Sequence, residues 1–333
     1  MMKTSLIAAA LTLTLAGSLD AAPKPVLNVY TYDSFASDWG PGPAVEKAFE
    51  ATCNCDLKFT TAGDGAALLA RVRLEGARSK ADVVLGLDTS LTAKAAATGL
   101  FAPHLAGAKT DLPGGWHDPL FLPFDWGYFA FVYDKTRLKQ VPHSFEELAQ
   151  APDDLKIVIE DPRSSTPGLG LLLWVKKAYG ARAPEIWAGL APHILTVTKG
   201  WSAAYGMFLK GEADMVLSYT TSPAYHRIAE KDDSKAAARF SEGHYMQIEV
   251  MGKLAQAPHP ALADRFMAFM QSEKVQSLIP TTNWMYPAIM PKAGLPTGFD
   301  APLPADAALI YSPIEAEAMR APALEEWLGA LSK

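Results

Sequence analysis

Aromatic rings and hydroxyls concentrate in four short stretches: Tyr30, Tyr32 and Trp39 near the start, W-S-A-A-Y at 201–205, S-Y-T-T-S-P-A-Y-H at 218–226, and T-T-N-W-M-Y-P at 281–287. Any single ring more commonly packs in a core or an interface. Several rings gathered beside an acid such as Asp64, in A-G-D-G, are what a planar cation requires, since ring faces attract positive charge and a carboxylate offsets it. Asp64 equally suits the N-cap of the helix that A-A-L-L begins. A fifth stretch, D-P-R-S-S-T-P-G-L-G at 161–170, places Ser164, Ser165, Thr166 and Pro167 before an apolar helical run. Such an opening caps a helix or presents hydroxyls and free N–H groups to an anion.

Motifs for covalent or hydrolytic chemistry do not accompany these residues. G-x-S-x-G, H-E-x-x-H, C-x-x-C and S-x-x-K are absent. A nucleotide phosphate loop needs a lysine after its second glycine, and here Leu171 follows Gly170. The two cysteines stand as C-N-C, Cys53 and Cys55; a disulfide between them closes a very short ring and stabilises little. The seven histidines, at 104, 117, 143, 193, 226, 244 and 259, lack ligand spacing, so no metal and no cofactor is expected.

The first 22 residues combine Lys3, an apolar run from Leu6 to Ala16 and small residues at Ala21 and Ala22. That pattern reads as a cleaved secretory signal peptide, too short to span a bilayer, with cleavage after Ala21 or Ala22. No cysteine sits at the junction for a lipid anchor, so a soluble, exported protein is expected. Cleavage removes one base, Lys3, and one acid, Asp20, and so leaves the formal charge at −6. A mildly acidic chain has no electrostatic footprint for nucleic acid.

Strand-like and helix-like segments alternate to position these residues. Strands are expected at 26–32, 57–61 and 81–87, with helices near 41–51 and 65–76 and another running through Lys94 to Gly99. Tyr30, Tyr32, Asp33, Asp64 and Asp88 fall at or just past the strand ends, where α/β proteins build clefts. A long aromatic strand at 121–134 leads to a second series: strands at 156–161, 194–199 and 213–219, a helix after Gly170 and another from Ala203 to Leu209. A second extended stretch at 244–250 precedes a helix near 260–275, and a last helix covers 314–331. Two α/β halves joined by two extended crossings predict a hinged, two-lobed molecule with mostly parallel mixed sheets and a ligand between the lobes. The expected division is 23–125 with 250–304 for lobe 1, 126–249 for lobe 2, and a helical segment at 305–333 that covers either.

Longer stretches then carry a resemblance: Y-T-Y-D-S-F-A-S-D-W-G-P-G-P, P-F-D-W-G-Y-F-A-F-V-Y-D-K, D-P-R-S-S-T-P-G-L-G-L-L-L-W, V-T-K-G-W-S-A-A-Y-G-M-F-L-K-G-E, L-S-Y-T-T-S-P-A-Y-H and N-W-M-Y-P. The chain resembles the periplasmic thiamine-binding proteins of bacterial ABC importers, within the type 2 periplasmic-binding-protein superfamily. That resemblance implies capture of thiamine or its mono- and diphosphates, and delivery to a membrane permease with a cytoplasmic ATPase, by a monomer that is not an enzyme. It implies that Tyr32, Tyr225 and Trp284 stack on the heterocycles. Asp64, with Gly65 beside it for close approach, would face the cation or the exocyclic amine. Ser165, Thr166, Trp201 and the loop Tyr219, Thr220, Thr221, Ser222 and Pro223 would supply neutral donors to the hydroxyl or phosphate arm.

Two other readings stay open. Ferric-ion binders of this superfamily use adjacent tyrosines, whereas Tyr219 and Tyr225 stand six residues apart. A secreted thiamine-degrading enzyme of similar fold uses a cleft cysteine, whereas Cys53 and Cys55 follow the first predicted helix and have no evident activating base.

Overall fold

The short β-branched and aromatic runs do become strands, because their side chains fit a pleated surface that is buried on both faces. The computed structural model describes residues 23–107 and 110–332, so the leader expected at 1–22 lies outside the described residues. Strands β1 (Val26–Thr31), β2 (Asp56–Thr61), β3 (Val83–Asp88) and β4 (Phe101–Ala102) come first, followed by the long β5 (Phe121–Asp134). Then come β6 (Ile157–Glu160), β7 (Ile194–Thr198), β8 (Met215–Tyr219), β9 (Lys235–Ala237) and β10 (His244–Leu254), with β11 (Tyr286–Pro287) and β12 (Ala308–Leu309) as short additions. The main sheet path runs β2-β1-β3-β10-β5-β8-β6-β7.

Pairing along that path separates the lobes. β1 is parallel to β2 and β3 on one side, and β6 is parallel to β7 and β8 on the other. Between them, β5 and β10 run antiparallel. β5 pairs with β10 through Tyr128 and with β8 from Phe129 onward, so one strand serves both halves. The lobe limits expected at 125/126 and 249/250 thus fall within these two crossing strands.

Helices α1 (Asp33–Ala36), α2 (Gly42–Cys53), α3 (Gly65–Glu75) and α4 (Thr89–Ala96) belong to the first half, and α5 (Phe145–Ala149), α6 (Thr166–Tyr179), α7 (Ala183–Leu190), α8 (Trp201–Leu209) and α9 (Ser222–Tyr225) to the second. The chain then returns through α10 (Pro260–Met270), α11 (Glu273–Gln276) and α12 (Ile279–Thr282) and ends in α13 (Pro313–Leu331). α13 packs on α4 of one lobe and on α6 and α7 of the other, tied by Arg320 to the Ser90 carbonyl (2.7 Å) and by Lys176 to Glu326 (2.6 Å). It therefore covers both lobes rather than one.

Three expected boundaries shift. α6 starts at Thr166, not after Gly170, because Gly168 and Gly170 are packing positions inside the helix rather than loop. A Cβ at Gly170 would come within 1.9 Å of the Phe129 ring. α8 starts at Trp201 rather than Ala203, and the helix expected through 275 breaks after Met270. α6 is apolar all round and is buried from Thr166 to Val175, with Trp174 against Phe145 (4.7 Å between centroids) and its indole N–H donating to the Gly243 carbonyl (3.0 Å). Cys53 and Cys55 form a buried disulfide around Asn54, whose left-handed backbone (φ 53°) ends α2.

Gly170→Ala should therefore destabilise the protein by roughly 1–3 kcal/mol through overpacking against Phe129. Gly329→Ala on the exposed face of α13, where a Cβ meets nothing within 4 Å, should instead be neutral or slightly stabilising. Urea denaturation of the two variants checks the contrast.

Candidate functional site

Between the lobes lies a cleft of about 430 Å³, the size of a small-molecule site. Rings reach it from both sides. Trp39, from the turn after α1, stands 6.2 Å from Trp201 at the start of α8, and Trp284, after α12, meets Tyr225 edge to face at 5.2 Å. Trp284 is held at φ 57°, a left-handed conformation that a tryptophan adopts only under local constraint. Behind Trp201, Tyr205 stacks at 4.9 Å, and the Trp201 indole N–H donates to Ser218 Oγ at 2.8 Å.

Asp64 closes the cleft by a route that the sequence left undecided. It occupies the N-cap position of α3 but makes no capping bond there. Its Oδ2 instead reaches across to the other lobe, accepting from Ser165 Oγ (2.7 Å) and from the backbone N–H of Trp201 (3.0 Å), the first residue of α8. Gly200 makes room, since a Cβ there would lie 2.8 Å from Asp64 Oδ1. Gly65 does the same for Thr166, whose Cγ2 would be 2.7 Å from an added Cβ. The Ala67 N–H donates to the Ser164 carbonyl at 3.0 Å, a further bond across the cleft. Burial raises the Asp64 carboxyl above its ordinary range, and the two donors partly oppose that.

The floor is acidic. Glu249 on β10 stands opposite Asp88 of β3 on one side and Asp125 of β5 on the other, so three buried carboxyl groups form one row across three strands. Tyr32 O–H donates to Glu249 Oε2 (2.9 Å), and the Asn283 amide donates both to Tyr32 Oη (2.9 Å) and to Asp125 Oδ2 (2.5 Å). Burial pushes Asp88 up to about 6 and Asp125 up to about 7. Glu249 rises well above the carboxyl range through burial and the neighbouring Asp125 charge. Glu160, at the end of β6, is also buried and raised, and neither of its oxygens has a partner.

Of the residues expected at the site, Tyr32, Asp64, Gly65, Thr166, Trp201, Tyr219, Ser222, Tyr225 and Trp284 line the cleft. Ser165, Thr220, Thr221 and Pro223 do not. Ser165 is fully buried, with its hydroxyl taken by Asp64 and by the Gly168 N–H of its own helix. The Thr220 N–H donates to the Tyr128 carbonyl, Thr221 precedes α9, and Pro223 sits in the first turn of α9. Tyr30 is buried away from the cleft beneath Arg71, and Asp88 caps α4 through the Ser90 N–H.

Sequence reasoning missed Glu249, Asp125 and Asn283. The signal for the two acids was a lone charged residue inside each of two strand runs, F-L-P-F-D-W and M-Q-I-E-V. Among the described residues, His226, Glu230 and Asp232 bring three ligand atoms within 4.8 Å of one another. Each is already engaged: His226 by Glu230 and Tyr205, Asp232 by Ser234 and Lys235. The disulfide leaves neither cysteine as a free thiol, and neither lines the cleft.

Two α/β lobes, two shared strands and a ligand-sized cleft between them define a periplasmic binding protein of the type 2 fold. The sequence matches the bacterial extracellular solute-binding protein family over residues 41–277, and the chain belongs to that family. It is 55% identical to the thiamine-binding periplasmic protein of Escherichia coli (strain K12), across 93% of this chain and 94% of that one. It is 47% identical to the protein of the same description from Brucella abortus biovar 1 (strain 9-941), across 97% and 98%. A solved periplasmic thiamin binding protein superposes with a TM-score of 0.90 at 55% identity, covering 93% of this chain and 97% of that one.

The raised carboxyls set the sign of the pH dependence of stability. Between the ordinary carboxyl range, near pH 4, and about pH 7, the folded chain holds protons that the unfolded chain has lost, so stability rises as pH falls through that window. The unliganded protein should gain several degrees in Tm between pH 8 and pH 5, read by scanning calorimetry. A Tm that falls steadily over that range would contradict the buried acidic row.

Proposed function

We propose that this protein is the periplasmic solute-binding component of an ABC importer and that it captures thiamine between its lobes. The observation that carries the reading is the makeup of the cleft: rings from both lobes, two carboxyl groups, Asp64 and Glu249, and no lysine, arginine or histidine among its lining residues. Thiamine combines an aminopyrimidine, a permanently cationic thiazolium and a hydroxyethyl arm. Rings and carboxyls suit the first two. The relatives described as thiamine-binding periplasmic proteins support the same ligand.

In this reading Tyr32, Tyr225 and Trp284 hold the heterocycles, and Asp64 and Glu249 supply the negative field. The arm meets neutral donors on the second lobe: Thr166, Ser222 and the N–H groups around Trp201 and Tyr219. Ser165, Thr220, Thr221 and Pro223 shape those donors from behind. A lining without a fixed cation accepts the free alcohol or a phosphate ester and demands neither. Ligand bridging both lobes favours the closed form, and that form docks on a membrane permease driven by a cytoplasmic ATPase. An N-terminal signal peptide ending at Ala21 or Ala22 delivers the chain to the periplasm.

Thiamine should quench the intrinsic tryptophan fluorescence at submicromolar concentration, since Trp39, Trp201 and Trp284 all line the cleft. No quenching together with no calorimetric heat would refute the assignment. Trp284→Ala should weaken binding by about 1–2 kcal/mol, roughly five- to thirtyfold. Asp64→Ala should cost more, on the order of 2–3 kcal/mol, because the closed form also loses its charge-assisted bonds to Ser165 and to the start of α8.

A further inference from the structure

The cleft floor carries more acid than one cation needs, and its acids are not free to stay charged. Asp88, Glu249 and Asp125 stand side by side on β3, β10 and β5, each nearly inaccessible to water. Only Glu249 opens onto the cleft. Three adjacent buried carboxylates without a compensating base cannot all ionise, since each desolvated charge raises the cost of the next. The titratable groups facing Glu249 and Asp125 from the surrounding elements are Tyr32, Asp88 and Tyr219, all acids or phenols, and Asp64 and Glu160 bear on Tyr219 in turn. Among the described residues, the base that bears on the row is Arg320 of α13, which acts on Asp88 from outside the cleft.

Asn283 and Tyr32 lock the row in place without charging it. Their bonds link Glu249, Tyr32, Asn283 and Asp125 in a chain, while Asp125 Oδ1 is buried with no partner. A proton shared between Asp125 and Glu249 would satisfy that oxygen.

We propose that the Asp88–Glu249–Asp125 row is the charge-selective element of the cleft: Glu249 and Asp125 share a proton in the ligand-free protein, and up to one proton leaves to solvent when a permanently cationic heterocycle settles beside Glu249. The inference rests on the thiamine reading above. The balance is simple: a cation enters, a proton leaves, and no bond of the ligand changes. A quaternised ring has no N–H of its own to share with a carboxylate, so the protein must supply the negative charge by deprotonation. Planar molecules of similar size without the charge gain nothing from the row, because they would face neutral acids.

The test is calorimetric titration of the native protein with thiamine at pH 7, where the aminopyrimidine is neutral, in phosphate and in Tris, whose ionisation enthalpies differ widely. The dependence of heat on buffer should give release of about 0.3–1 proton per thiamine. Affinity should rise with pH between 6 and 8, by at most tenfold per unit. Glu249→Gln should bind more weakly, with release cut to less than half and the pH dependence flattened. Asp125→Asn should cut the release in the same way. Thiamine binding with no proton exchange, or with uptake, overturns the proposal and leaves the thiamine assignment standing. Release that stays unchanged in both Glu249→Gln and Asp125→Asn overturns it too, by placing the proton outside the row. Absence of any thiamine heat or quenching fails the assignment itself, and the proposal with it.

Discussion

The pairing of β5 with β10 is the constraint from which the rest of this structure follows. Both strands are too long for one lobe, and both are buried along nearly their whole length. Their antiparallel register places Glu249 against Asp125, and the next strand, β3, sets Asp88 against Glu249 in turn. The acidic floor is thus a product of strand register rather than of any local motif. A slip of one residue would turn every one of these side chains to the opposite face.

The contacts that join the lobes across the cleft mouth are of another kind. Asp64 with Ser165 and Trp201, Ala67 with Ser164, and Trp39 beside Trp201 are polar or half-exposed contacts rather than core packing. Closing the cleft takes the Asp64 carboxylate out of water, which is costly, and returns two charge-assisted hydrogen bonds, which offset much of that cost. With such a balance, a ligand with modest preference for one form would be enough to decide between open and closed. α13 limits how far the lobes part from behind, since it is bonded both to α4 through Ser90 and to α6 through Lys176.

Much of the fold was legible because alternation of strand and helix depends on local chemistry. The runs at 26–32, 57–61, 81–87, 156–161 and 213–219 are short, apolar and β-branched, and each is a strand within a residue or two. The glycines of T-P-G-L-G misled, because glycine signals a turn as readily as a close helix contact, and only the position of Phe129 distinguishes the two. The rings of the cleft were found because tyrosine and tryptophan beside hydroxyls stand out along the chain. The carboxyl row was not, because Asp88, Asp125 and Glu249 lie far apart in sequence and acquire meaning only through register. Asp64 was visible as an acid with two readings, and neither included the partner it has: the start of a helix on the opposite lobe.

On the thiamine reading proposed above, these two groups of contacts divide the work of recognition. Tyr32, Asp125, Glu249 and Asn283 are bonded to one another within the first lobe and the crossing strands, and they need nothing from the second lobe to hold their geometry. Asp64, by contrast, finds its donors only when the lobes meet, and Trp284 finds Tyr225 only then. A cation entering an open cleft therefore meets a preformed acidic floor before it meets the closing wall. In that proposal, charge is read by the rigid part of the site, where register fixes the acids. Shape is read by the moving part, where rings and hydroxyls arrive together. A neutral molecule that fits the rings but leaves the row protonated would favour closure less than a cation does, so selection by charge and selection by shape act through the same lobe movement.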